Sequence, residues 1–126
     1  MDVLRVLVVD DEGELVRALV ERLRLRGIEA DGVLNGREAI AAVEGAQYDV
    51  AVVDVKMPGL GGLKVAEALR QRLPALEIIF LTGHGSEEDA EEGRRLGAFD
   101  YVMKPVSLEA LLRSLRSAAA RAGKSE

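Results

Sequence analysis

Polar residues that suit phosphate chemistry stand in four places where an apolar run ends: Asp10 and Asp11, Asp54, Thr82, and Lys104. Carboxylates without a histidine or cysteine form the hard oxygen ligand set that suits Mg²⁺, which keeps positions open for phosphate oxygens. A lysine adds a mobile positive charge for a phosphoryl oxygen, and an aspartate can serve as nucleophile and form an acyl phosphate. Together these residue types suit phosphoryl transfer, which depends on positioning and charge neutralisation around an in-line displacement.

Each of these residues also has a purely structural explanation. An aspartate after a strand is often a turn former or a helix cap, and a lysine before Pro105 suits an exposed loop. Three neighbouring carboxylates, however, repel one another unless a cation offsets their charge. The combination therefore favours a metal and phosphate site, in which the Thr82 hydroxyl and the backbone N–H groups near Gly83 would bind a further phosphoryl oxygen.

Alternating strand and helix patterns would bring these residues to one place. The apolar runs predicted as strands are residues 4–9, 28–33, 50–54, 76–81 and 99–103. The run that ends at Asp54 lacks polar alternation, which favours a central strand buried on both faces, whereas 28–33 has the weaker pattern of an edge strand. Five strand–helix units imply an α/β protein with a parallel sheet covered by helices on both faces. Ligands bind at the carboxyl edge of such a sheet.

Helix signals fill the intervals between the strands. Apolar residues recur at helical spacing over 15–23 and 63–73, capping patterns stand at Asn35–Glu38 and Ser86–Asp89, and Ser107 precedes a final amphipathic run. The predicted fourth helix has few apolar residues, chiefly Ala90 and Leu96. It is therefore either a helix that moves at low cost or simply a solvated surface helix.

Composition limits the class of protein. A chain of 126 residues suits one domain, which we place at 1–120, with 121–126 as a flexible tail or the start of a linker. The net charge of −5 argues against direct nucleic-acid binding, and the lack of cysteine excludes disulfides and thiolate ligands. No apolar run is long enough for a membrane span, and the N-terminal residues lack a signal-peptide pattern. We therefore expect a cytoplasmic protein that does not enter a membrane.

Four segments in order resemble the receiver domain of bacterial two-component response regulators, the family of the chemotaxis response regulator. They are Val8–Glu12, Val53–Gly59, Leu81–Gly83 and Gly97–Pro105. The resemblance extends from about Leu4 to Leu115. It implies the doubly wound, flavodoxin-like fold of five βα units, with the parallel strands in the order 2-1-3-4-5.

The resemblance also implies a role for each residue of the site. Asp54 would be the phosphoacceptor, taking a phosphoryl group from the phosphohistidine of a partner kinase. Mg²⁺, or Mn²⁺ in its place, would be bound by the side chains of Asp11 and Asp54 and by the backbone carbonyl of Lys56. Asp10 would act on the metal directly or through water, and Lys104 would contact the phosphoryl group.

Further residues match the switching apparatus of the family. Thr82 would turn towards the phosphoryl oxygen, Tyr101 would then move inward, and the face made by the fourth helix, fifth strand and fifth helix would change. The peptide bond between Lys104 and Pro105 is expected to be cis. Lys56 and His84, which follow Asp54 and Thr82 by two residues, would tune the rate at which water removes the phosphoryl group.

The resemblance implies signalling partners rather than a substrate. We expect a histidine kinase or phosphotransfer protein upstream, and an output protein or a covalently attached output domain downstream. Homodimerisation on phosphorylation is left open. The protein would not be an enzyme, beyond assisting its own phosphorylation and dephosphorylation.

Three other functions are weighed against this one. A hydrolase of the haloacid dehalogenase type also uses aspartate and Mg²⁺, but it needs a second aspartate where this chain has Lys56, and usually a cap insertion. In a flavodoxin-like flavin protein, the acidic Asp10–Glu12 would repel the flavin phosphate. A plain interaction module would leave the acidic cluster unexplained. The glycines at 59, 61 and 62 lack a following Gly-Lys-Ser/Thr, so they indicate a turn rather than a P-loop.

Overall fold

Five short parallel strands form the central sheet of the protein, in a computed structural model that describes residues 3–83, 91 and 94–122. The strands are Arg5–Val9 (β1), Glu29–Val33 (β2), Val50–Asp54 (β3), Glu77–Thr82 (β4) and Asp100–Met103 (β5). Their order is β2-β1-β3-β4-β5, and all four neighbouring pairs are parallel. The fold class and strand order implied by the family resemblance are therefore confirmed, and β2 is an edge strand as its pattern indicated.

Four complete helices pack on the sheet. They are Gly13–Arg24 (α1), Gly36–Gly45 (α2), Gly62–Arg72 (α3) and Leu108–Arg121, here called the C-terminal helix. The side chain of Asn35 accepts a hydrogen bond from the Glu38 N–H, and that of Ser107 accepts one from the Ala110 N–H, so both act as N-caps. None of the helices in the described part of the chain is long and apolar enough to cross a membrane.

The predicted fourth helix falls mostly outside the described residues. Residues 91, 94 and 95 are helical, whereas the capping pattern Ser86–Asp89 and Ala90 lie outside the description. The expectation that this helix moves at low cost therefore stays a prediction. Of the predicted tail 121–126, Arg121 is instead the last residue of the C-terminal helix. Residues 123–126 lie outside the described residues, so a flexible tail there stays a prediction.

Both faces of the sheet are buried, because side chains of a strand alternate between them. Val6 and Val8 of β1 belong to a core shared with α1 and the C-terminal helix. Leu7 and Val9 belong to a second core, shared with α2 and α3. Every residue of β3 is buried, including its last residue, Asp54. The continuous apolar run of β3 is thus explained by a central strand, as predicted.

The first residue of α3 lies directly against the backbone of Asp54. The Gly62 N–H donates a hydrogen bond of 3.0 Å to the carbonyl of Val55. A Cβ atom at Gly62 would come within 2.0 Å of the Asp54 carbonyl oxygen and 2.8 Å of Val55 Cα. Glycine is therefore required here by a close approach of two backbones, and this approach fixes where β3 ends relative to α3.

The amino edge of the sheet has a charge network of its own. Glu77, the buried first residue of β4, has one carboxylate oxygen 2.9 Å from Arg121 of the C-terminal helix and the other 3.6 Å from Arg70 of α3. The guanidinium carbon of Arg121 also lies 5.6 Å from the ring centroid of Phe99. One carboxylate thus joins a strand to helices on both faces of the sheet.

Arg70 also binds the segment that leads into β5. Its guanidinium donates hydrogen bonds to the carbonyl oxygens of Leu76 (3.1 Å), Gly97 (2.8 Å) and Leu96. Gly97 has a φ of 75°, and a Cβ atom there would lie 2.7 Å from an Arg70 nitrogen. Arg70 therefore holds the chain just before β5. It does so at the amino edge of the sheet, whereas Asp54 lies at the carboxyl edge.

The Gly62 contact predicts a severe effect of a single methyl group. We expect Gly62→Ala to lower the free energy of unfolding by about 2 kcal/mol or more, because the backbone atoms in its way cannot rotate aside as a side chain can. Gly45→Ala is the matched control: it is also a helical glycine, but its Cβ would meet nothing within 4 Å. Urea denaturation of both variants measures the difference, and equal stabilities would show that the two backbones can separate.

Glu77 and Glu44 both pair with arginine, but the Glu77 network predicts that removing Glu77 destabilises the protein more than removing Glu44. Glu77→Ala should lower the free energy of unfolding by about 1–3 kcal/mol, because it leaves the half-buried Arg70 without its carboxylate. Glu44→Ala removes an exposed pair with Arg72 (3.4 Å) and should cost no more than about 0.5 kcal/mol. Thermal or urea denaturation distinguishes them, and a loss at Glu44 as large as at Glu77 would contradict the importance of burial.

Candidate metal and phosphoryl-acceptor site

Three aspartates come together at the carboxyl edge of the sheet. Asp54 is the last residue of β3, and Asp10 and Asp11 directly follow β1, the neighbouring strand. Each side chain can offer one carboxylate oxygen such that the three oxygens lie within 4.8 Å of one another. Asp10 and Asp54 are buried, whereas Asp11 is exposed. The parallel topology thus produces the acidic cluster that the sequence predicted.

Lys104 brings a positive charge to this cluster from the end of β5. Its Nζ atom lies 2.9 Å from Asp10 Oδ2, 3.5 Å from Asp54 Oδ2 and 3.3 Å from Glu12 Oε1. The Lys104 backbone N–H donates a 2.9 Å hydrogen bond to the carbonyl of Thr82, which ties it to β4. The peptide bond between Lys104 and Pro105 is cis.

The electrostatics of the site shift two pKa values. Burial, and then the charge of Asp10, raise the pKa of Asp54 to about 6, although Lys104 and the Lys56 N–H act in the opposite direction. Burial alone would lower the pKa of Lys104, but its hydrogen bond with Asp10 and the charges of Asp10 and Asp54 raise it to about 12, with a smaller contribution from Glu12. Lys104 is therefore charged at neutral pH, and its single charge does not fully compensate the carboxylates.

The residues present fit a divalent cation. Asp10 Oδ2 is buried, and its partner among the described residues is the Lys104 ammonium, 2.9 Å away. Three clustered carboxylates with an excess of negative charge suit a hard cation. The Lys56 N–H lies 3.4 Å from Asp54 Oδ1, which places the Lys56 backbone beside the Asp54 side chain. That the Lys56 carbonyl is a metal ligand stays a prediction.

The remaining predicted site residues lie at different distances from the carboxyl edge of the sheet. Thr82 is the buried last residue of β4, the strand next to β3, and Gly83 follows it at the same edge as Asp54. Tyr101 lies further back on β5, where it pairs with Phe80 across the sheet and stacks on its ring at 5.7 Å. The phosphoryl-binding role of Thr82 and Gly83 and the switch role of Thr82 and Tyr101 stay predictions. His84 lies outside the described residues.

The sequence did not assign Glu12 or Gly62 to the site, yet both lie against it. Glu12 contacts Lys104, and Gly62 packs against the backbone of Asp54. The acidic run Asp10–Glu12 contains Glu12, but an acidic run does not show which carboxylate faces a lysine 92 residues later. A glycine at the start of a helix likewise gives no sign of the backbone behind it.

Comparison with known proteins identifies the family. The model of the response regulator receiver domain matches residues 6–116. The transcriptional regulatory protein TcrA of Mycobacterium tuberculosis is 38% identical over 117 residues, which cover 93% of this chain and 46% of TcrA. The chain therefore spans about half the length of this curated relative.

Solved structures agree with the family match. A CheY-like response regulator receiver domain protein from Methanospirillum hungatei superposes with a TM-score of 0.91 at 27% identity, over 95% of this chain and 96% of that one. A response regulator protein from Burkholderia pseudomallei, solved with a phosphorylated aspartic acid, a calcium ion and citrate, gives a TM-score of 0.84 at 27% identity, over 95% of this chain and 71% of that one. These matches favour a signalling domain over the haloacid dehalogenase alternative.

The family match covers most of the chain and agrees with the strand order and with the acidic cluster beside Lys104. The chain therefore belongs to the response regulator receiver domain family of two-component signalling.

Proposed function

We propose that this protein is a phosphorylation-dependent switch in which Asp54 accepts a phosphoryl group. The observation that carries the proposal is the cluster of Asp10, Asp11 and Asp54, whose carboxylate oxygens lie within 4.8 Å of one another beside the Lys104 ammonium. Asp54 is suited to the acceptor role because it ends a strand that is otherwise entirely apolar and is held from behind by Gly62.

The transfer is a displacement at phosphorus. An Asp54 oxygen attacks the phosphorus atom of a phosphohistidine, the new O–P bond forms as the P–N bond breaks, and the imidazole nitrogen leaves with the electron pair and takes up a proton from solvent. Asp10, Asp11 and Asp54 would hold a divalent cation, best Mg²⁺, which when bound would supply positive charge for the phosphoryl oxygens. Lys104 supplies a further positive charge and hydrogen-bond donors.

A relative with the same fold supports the chemistry. The Burkholderia pseudomallei protein contains a phosphorylated aspartic acid together with a calcium ion. Calcium and magnesium both prefer oxygen ligands, and the smaller Mg²⁺ uses fewer of them and keeps more water. The described site offers few carboxylates and has an exposed member, Asp11, which suits a partly hydrated ion.

Phosphorylation would act on the protein by changing which arrangement of the site is favoured. The modified Asp54 has additional charge and acceptor oxygens, so its interaction free energy can differ between two arrangements of Thr82. Only such a difference in free energy shifts the populations of the two arrangements. Tyr101 lies on the edge strand β5 and packs on Phe80 of β4. A movement of Tyr101 would therefore alter the surface formed by β5 and the C-terminal helix. We propose this surface, with the predicted fourth helix, as the output face.

The proposed partners follow from the family. The phosphoryl group comes from a histidine kinase or a phosphotransfer protein, and the output is read by a partner protein or by an attached output domain. TcrA, which is named as a transcriptional regulatory protein, is about twice as long as the matched segment. A receiver domain within a longer regulator is therefore one arrangement that this sequence fits.

Phosphorylation of Asp54 can be tested directly. Incubation with Mg²⁺ and acetyl phosphate should add one phosphoryl group to wild type, in a linkage stable to acid and labile to base, and add none to Asp54→Asn. Asp49→Asn is the matched control because Asp49 precedes the same strand at its other end, and it should be modified like wild type. Intact-protein mass spectrometry makes the measurement. An adduct that persists in Asp54→Asn would exclude the proposed acceptor.

The raised pKa of Asp54 predicts an unusual pH dependence in metal-free protein. Because the folded-state pKa of about 6 exceeds the ordinary value of 3.8, folding favours the protonated carboxyl. Its stabilising contribution is present below the ordinary pKa and is lost as the pH rises through about 6. In EDTA, wild type should therefore lose roughly 1–3 kcal/mol of unfolding free energy relative to Asp54→Asn between pH 4 and pH 7.

Urea denaturation at several pH values measures this difference. Saturating Mg²⁺ provides the control, because a bound cation favours the ionised carboxylate and should abolish the deficit at pH 7. Parallel pH profiles of wild type and Asp54→Asn in EDTA would contradict the idea that the carboxylate is electrostatically destabilised.

A further inference from the structure

Glu12 makes an ion pair with Lys104 that the proposed chemistry does not require. Its Oε1 atom lies 3.3 Å from Lys104 Nζ, and 62% of its side chain is exposed. The other two carboxylates on the same ammonium belong to Asp10 and Asp54, whose side chains are 0% and 5% exposed. Glu12 is therefore the one of the three carboxylates that returns to water at the smallest cost.

The donors of Lys104 are fully shared in this arrangement. An ammonium group has three N–H donors, and here three carboxylates lie at 2.9, 3.3 and 3.5 Å from it. A phosphoryl group adds acceptor oxygens and negative charge beside this ammonium. Asp10 cannot leave easily, because its side chain is fully buried and its Oδ2 atom lies 2.9 Å from the ammonium. An anion that arrives beside the ammonium therefore competes most easily with the exposed Glu12 side chain.

We propose that Glu12 is a displaceable carboxylate that occupies the solvent side of Lys104 in the resting protein and gives way to the phosphoryl group. The proposal rests on the proposed function of Asp54 as acceptor. Glu12 is a positioning residue, because it acts through Lys104 and does not touch the reacting atoms. By competing for the ammonium, it weakens the binding of a phosphoryl group and biases the protein towards its unmodified state.

The backbone of Glu12 allows the side chain to be changed without disturbing the site. Its N–H donates a 3.0 Å hydrogen bond to Asp10 Oδ1, and its carbonyl accepts a 3.1 Å bond from the Val16 N–H at the start of α1. Both bonds remain after any ordinary substitution. Glu12→Gln then removes the charge and keeps the length, whereas Glu12→Asp keeps the charge and withdraws it from Lys104 by one methylene group.

The test is the affinity of the full chain for beryllofluoride, an analogue of the phosphoryl group, at saturating Mg²⁺. Titrations followed by backbone amide NMR should give dissociation constants about two- to five-fold lower for both Glu12→Gln and Glu12→Asp than for wild type, which is the effect expected of one exposed ion pair. Glu14→Gln is the matched control. Glu14 is an exposed glutamate two residues along, with no ion-pair partner among the described residues, and its loss should leave the affinity unchanged.

Each alternative outcome has a distinct meaning. An affinity unchanged in Glu12→Gln overturns the proposal. A gain in Glu12→Gln that is absent in Glu12→Asp, or equal in Glu14→Gln, also overturns it, because the effect would then come from net charge and not from the contact with Lys104. Wild type that fails to bind beryllofluoride, or Asp54→Asn that binds it equally well, overturns the proposed function as well. Binding by wild type with no difference among the variants leaves the proposed function intact.

Discussion

Two carboxylates buried side by side repel each other, and the rest of the site depends on how that repulsion is limited. The sheet forces the encounter, because β1 and β3 are neighbouring parallel strands that end at the same edge. Lys104 is the positive charge that the described fold provides, and it is shared between Asp10, Asp54 and Glu12. Burial, and then the charge of Asp10, raise the pKa of Asp54 to about 6, and Lys104 opposes this rise only in part. The site therefore has an intrinsic affinity for further positive charge.

The two edges of the sheet have opposite balances of cations and carboxylates. At the amino edge, Glu77 lies between Arg70 and Arg121, so one buried carboxylate has two cations. At the carboxyl edge, several carboxylates share one lysine. The first arrangement holds helices and strands together and has no need of a ligand. The second is stable enough to fold but is electrostatically unsatisfied, which is the property that a binding site requires.

Much of this organisation was predictable because buried positions of strands and helices give regularly spaced or continuous apolar residues in a sequence. The unbroken apolar run of β3 indicated a central strand, and the positions of Asp10, Asp54 and Lys104 at strand ends placed them together. The pair between Glu12 and Lys104 was not predictable, since two side chains that follow different strands and lie 92 residues apart share no periodicity. The switch roles proposed for Thr82 and Tyr101 depend on a second conformation, which neither a sequence pattern nor one arrangement of atoms contains.

The contact between Gly62 and Asp54 has a consequence for protein engineering. The proposed acceptor, Asp54, cannot be treated as a side chain to be grafted onto any strand end, because its own carbonyl is packed against the first residue of the next helix. A designer who transfers Asp54 to another doubly wound scaffold must transfer the glycine and the helix start with it. The smallest portable unit of this site is thus a strand, a turn and the first turn of a helix, taken as one rigid piece.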